Sequence, residues 1–134
     1  MWTSAGLTGF QTLVIVGKYT AATFTDYDGM ITGNGGSILF IGNSGTDHWY
    51  VGEAPSLTRY KDGVEGYDEV TNAFHVFLGT NASGINLTLN IGSDRGMFRG
   101  WHGYIAEIAV YDSILGAEEI TTLTNHLMSK YGLS

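Results

Sequence analysis

The chain has 134 residues, no cysteine, and one proline (Pro55) against 20 glycines; it is 43% apolar and 14% charged, with a net charge of −7 from 13 acidic and 6 basic residues. Its length suits one domain with a real core, and the absence of thiols excludes disulfides, thiolate metal sites and cysteine nucleophiles. An acidic balance without a basic cluster leaves nothing to bind a phosphate backbone, so no nucleic-acid partner is expected.

In chain order, residues 11–19 have a β-branched apolar centre, Leu13-Val-Ile-Val16, and read as a buried strand. No apolar run reaches membrane-spanning length, so no membrane insertion is expected. Met1-Trp-Thr-Ser-Ala-Gly6 lacks the basic start of a signal peptide. Residues 28–32 form a short strand, Asn34-Gly-Gly36 a tight turn, and residues 37–42 the return strand. Asn43-Ser-Gly45 is a second turn. It leads to a strand at 48–52 with Trp49 and Val51 on one face and His48 and Tyr50 on the other.

Residues 53–69 are the least regular, with a hairpin expected at Lys61-Asp-Gly63 because Asp-Gly suits a tight turn. Residues 72–80 and 85–91 read as an antiparallel pair. Ile85, Leu87, Leu89 and Ile91 alternate there with Asn86, Thr88 and Asn90, so one face is expected to be wet. Residues 103–112 form the last strand and 116–128 the helix. Glu118 and Glu119 suit the positive end of the helix dipole and Lys130 the negative end. Ile120, Leu123, Leu127 and Tyr131 make a stripe that packs on a sheet.

Three segments together are distinctive: Phe98-Arg-Gly-Trp-His-Gly-Tyr-Ile-Ala-Glu-Ile-Ala-Val-Tyr-Asp112, the acidic helix opening that follows Leu115, and Lys130-Tyr-Gly-Leu-Ser134. In order and spacing they resemble the C-terminal end of the laminin-G-like, concanavalin-A-like jelly-roll family. The resemblance implies an all-β, two-sheet antiparallel jelly-roll sandwich with one C-terminal α-helix, spanning 1–134 as a single domain. Family members carry further strands before the segment that aligns with 11–19, and here ten residues precede it. An unpaired edge is therefore expected beside that strand, with Lys18 the only edge-blunting residue near it. A neighbour would cover it, either a second copy in a homo-oligomer or a virion or capsid protein, unless residues 1–10 fold back onto the edge.

Jelly rolls host lectins, hydrolases, adhesins and virion proteins alike. Glycosidases of this architecture need two carboxylates flanking the scissile bond. Glu107, however, is followed at same-face positions by Ala109 and Tyr111, and Asp26-Tyr-Asp28 has no third acid after it. No nucleophile elbow, P-loop or H-E-x-x-H motif occurs. No catalytic residue is expected. The four histidines are scattered, but Asp26, Asp28, Asp47 and Asp94 lie near turns. Calcium, which takes oxygen ligands and which related modules hold at a loop rim, is the metal they would suit.

Trp49, Tyr50, Tyr60, Tyr67 and Trp101 are candidates for a sugar-stacking platform, with core packing the competing role for the two tryptophans. Asn81-Ala-Ser83 and Asn86-Leu-Thr88 match glycosylation acceptors without an accompanying secretion signal. The expected role is a non-catalytic binding or structural module. By resemblance it is a phage virion component, a capsid decoration or tail-fibre domain, docking on proteins or cell-surface glycans. A lectin-like, calcium-dependent carbohydrate-binding module of a secreted bacterial protein is the alternative, and a glycoside hydrolase a third. The expected location is a virion or an extracellular surface.

Overall fold

The structure, a computed structural model, describes residues 4–33, 38–51, 56–66, 69–93 and 99–134. The protein is mostly antiparallel β-sheet with one C-terminal helix. The elements are β1 (Ser4–Tyr19), β2 (Gly29–Gly33), β3 (Ile38–Ile41), β4 (Thr58–Lys61), β5 (Val64–Glu65), β6 (His75–Ile91), β7 (Gly103–Tyr111) and α1 (Ala117–Tyr131). The seven strands among the described residues belong to one hydrogen-bonded sheet of order β3-β2-β6-β1-β7, with β4 also on β6 and β5 on β4.

Two long strands organise it. β1 and β6 run antiparallel from Ser4↔Asn90 to Gly17↔His75. Beside residues 12–17 of β1 lie β6 on one side and β7 on the other, and β7 continues alone to Tyr19. β6 in turn pairs with β4 through residues 77–80 and with β2 through residues 89–91. The register jumps from Phe10↔Ile85 to Thr12↔Thr80, so residues 81–84 bulge opposite Gln11. Gln11 Nε2 donates to the Ala82 carbonyl (2.7 Å) across the bulge. Gly9 and Gly84 there adopt φ of 69° and 78°, a region that suits glycine.

Three sequence expectations change here. The pair 72–80 and 85–91 is a single strand whose two halves both face β1, because the polar Asn81-Ala-Ser83 stretch makes a bulge and not a hairpin. Residues 11–19 do not border an open edge, since β7 occupies that side. No strand forms at 48–51; a lone bridge ties Trp49 to Gly42. Trp49 is buried while Val51 is 43% exposed, so the two do not share a covered face. The turn Asn34-Gly-Gly36, and also Pro55, lie outside the described residues. The Lys61-Asp-Gly63 hairpin forms as expected, with Asp62 and Gly63 at φ of 51° and 84°, the positive values a two-residue type I′ turn demands.

Alternation along the long strands separates two clusters. Leu13, Ile15, Phe77, Ile85 and Leu89 face the main core, where they meet Phe24, Ile31, Leu39, Phe40 and Trp49. On the opposite face Val14, Val16, Val76 and Leu78 receive Ile120 and Leu127 of α1. The expected helical stripe is therefore correct, with Thr124 buried beside it and Leu123 and Tyr131 only half-buried. Glu119 accepts from the Gly116 amide (2.8 Å) and satisfies one free donor at the helix start. Gly132, at φ of 64°, ends the helix, with the Leu133 amide donating back to the Met128 carbonyl (2.8 Å). No helix among the described residues is long and apolar enough to cross a membrane.

Candidate functional site

A polar-aromatic cluster forms where the loop before β2 meets the loop after β3. The first loop is shaped from within by Asp28, which is buried. Its Oδ2 accepts from the Tyr19 hydroxyl (2.6 Å), the Thr25 hydroxyl (2.9 Å) and the Asp26 amide (3.3 Å). Burial, and then the bond to Asp28, raises the Tyr19 pKa, which keeps that phenol a donor. The second loop is bound to the first by Phe24 N–H to Thr46 O (2.7 Å) and Gly45 N–H to Phe24 O (2.9 Å).

This join brings Tyr27 and Tyr50 together, edge to face at 5.5 Å and 89°. The Gly29 amide donates to the Arg99 carbonyl (3.0 Å), which sets the Arg99 guanidinium 5.5 Å over the Tyr27 ring. Asp26 approaches the same guanidinium at 4.0 Å and accepts from the Tyr27 amide. Asn43 and His48 (3.3 Å) and His48 and Asp47 (3.4 Å) continue the polar surface on the second loop. The cluster thus presents two half-exposed rings, a guanidinium, two exposed or half-exposed carboxylates and an amide. Rings of this kind stack on the apolar faces of sugars, and the flanking groups bond hydroxyls.

Of the five aromatics expected to form a platform, the four described do not gather at one surface. Trp49 is in the core, and Trp101 stacks on it at 5.9 Å and 22°. Tyr60 packs with the cluster under the helix, and Tyr67 lies outside the described residues. Of the four described, only Tyr50 reaches the loop surface, where its ring meets that of Tyr27. Asp26-Tyr-Asp28 drew attention for its acids, yet the ring between them carries the surface chemistry.

Of the four aspartates, the three described also separate. Asp28 is held by framework hydrogen bonds, Asp26 faces Arg99, Asp47 pairs with His48, and Asp94 is not among the described residues. Among the described residues no three His, Asp or Glu side chains converge as metal ligands. Glu107 accepts from Lys130 Nζ (2.8 Å) and the Tyr131 hydroxyl (2.7 Å), and these two bonds lower its pKa. It fastens the helix end to β7. Comparison with family models, curated proteins and solved structures returns no match.

Proposed function

We propose that this chain is a non-catalytic, glycan-binding module of jelly-roll type, working through the loop cluster around Tyr27 and Tyr50. The observation that carries this reading is the perpendicular ring pair, 5.5 Å apart, held at the surface by two mutually bonded loops. A preformed aromatic corner binds without the cost of ordering its side chains. The placement of Glu107 favours a binding role over hydrolysis, because the carboxylate is engaged by Lys130 and Tyr131 beside the helix. A setting in a phage virion, as a capsid decoration or tail-fibre domain, is supported by the sequence resemblance.

A glycan array probed with the wild type, Tyr27→Ala and Tyr50→Ala tests the reading. The wild type is expected to bind a defined set of glycans without turnover, and each variant to lose that set while keeping its far-ultraviolet dichroism. Chelator should leave binding unchanged; loss on chelation would favour the calcium-dependent lectin. Binding that survives both substitutions refutes the site, and turnover abolished by Glu107→Gln refutes the non-catalytic reading.

A further inference from the structure

β7 ends the sheet order, and no described strand pairs with its outer side. The other terminal strands, β3 and β5, have 4 and 2 residues, whereas β7 has 9. Short edges are poor templates for further pairing; a long one without lysine or proline is a good one. β7 also has the composition of an interior strand. Ile105, Ile108 and Val110 point to the main core, and Ala109 and Tyr111 to the helix. Strands with apolar residues on both faces are normally covered on both. Yet no residue of β7 is buried, while residues 12–17 of the adjacent β1 all are.

Its single charged side chain, Glu107, is bound to Lys130 and Tyr131 and so does not guard the edge. An open groove of about 500 Å³ follows residues 103–108, with Ile91 and Trp101 also lining it. Apolar surface continues past both ends of the strand. Tyr104 (61% exposed) and Phe74 (37%) lie ring to ring at the start, and Ile114 (49%) follows the end.

Charge distinguishes the occupant. At the start of β7 stands the cationic Lys18, in register with Tyr104. Past its end stand Asp112 and, lining a groove with Tyr111, Glu118 and Glu119. The same edge turned end for end brings the basic end of one copy against the acidic end of the other. We propose that the outer edge of β7 pairs with that of a second copy of this chain, antiparallel about a two-fold axis, so that the two sheets become one. The open amides and carbonyls of each strand are then satisfied by the other. This surface is independent of the loop cluster.

Sedimentation equilibrium over a concentration series, with amide hydrogen exchange on β7, tests the proposal. The wild type is expected at the mass of two chains, dissociating as salt screens the end-to-end attraction. The Tyr104→Lys/Ala106→Lys variant, altered only at exposed positions, should sediment as one chain with unchanged dichroism; Ala106→Lys alone is the milder version should the pair disturb folding. Exchange at residues 103–111 should slow with concentration in the wild type and not in the variant. A wild type of single-chain mass throughout overturns the proposal. So does a two-chain mass that survives in a folded variant, or protection of β7 that arises only when a different polypeptide is added.

Discussion

Asp28 shows how one carboxylate can shape a loop without doing chemistry. Three donors converge on Oδ2, and Tyr19 supplies the shortest bond, from a ring buried against Phe24 and Trp101. Tyr19→Phe keeps the ring and removes the donor. It should cost about 1.5–3 kcal/mol, the range for a hydrogen bond to a charged group, read from urea unfolding, and it should loosen the loop that presents Tyr27. Asp62 is held differently. Burial alone would raise its pKa, but bonds from His75 Nδ1 (2.6 Å) and the Val76 amide (2.9 Å) outweigh that and bring it below the ordinary value. A carboxyl whose pKa is lower in the folded state stabilises fully above its unfolded value, about 3.9. That contribution is lost as pH falls through the lower folded value. The stability difference between the wild type and Asp62→Asn should therefore shrink as pH falls below about 4. A difference that instead grows in acid would contradict the assignment.

Among the elements, α1 is the one whose role was plainest in the sequence, because a 3.6-residue period and charged ends leave few readings. The structure ranks its contacts: Ile120 and Leu127 are 4% exposed, and Leu123 is only half-buried. Ile120→Ala should cost about 2–4 kcal/mol, and Leu123→Ala clearly less, in the same denaturation experiment. Equal losses would mean that the helix is rotated from its described position. β6 shows the opposite case. Polar Asn81 and Ser83 beside Gly84 look like a hairpin turn, since local chemistry alone cannot tell a turn from a bulge. What separates them is Gln11, whose side chain bonds Ala82 from the neighbouring strand some seventy positions earlier in the chain. Strand content was therefore largely legible locally, except at residues 48–51 and for Asn90, which is buried on the face expected to be wet, whereas partnership was not. The candidate site failed to show for the same reason: Tyr27, Tyr50 and Arg99 meet only because β2 and the 43–48 loop bring separate segments together.

Over the whole molecule, each long strand serves both ends of the sheet. β1 pairs with β7 through residues 12–19 and with β6 over most of its length, while β6 carries β4 toward one end and β2 toward the other. Neither end can be assembled alone, because both draw on the same two strands. The β1–β6 register joins partners as far apart as Ser4 and Asn90, so a large loop must close before most native pairs can form. Contacts this distant in sequence place the chain among slow folders, with refolding on the order of milliseconds to seconds. Stopped-flow measurements should give one dominant refolding phase followed alike by tryptophan fluorescence, which senses Trp49 and Trp101 in the core, and by far-ultraviolet dichroism. A fast phase in which the helix gains its dichroism ahead of the core would show that α1 forms without the sheet. The shared strands argue that it waits: Val14, Val16, Val76 and Leu78, on which it rests, come into line only once β1 has found β6. A newly made copy would therefore hold its apolar strands open to solvent until residues far apart in the chain had met, and it is in that interval that the protein would be most prone to clump.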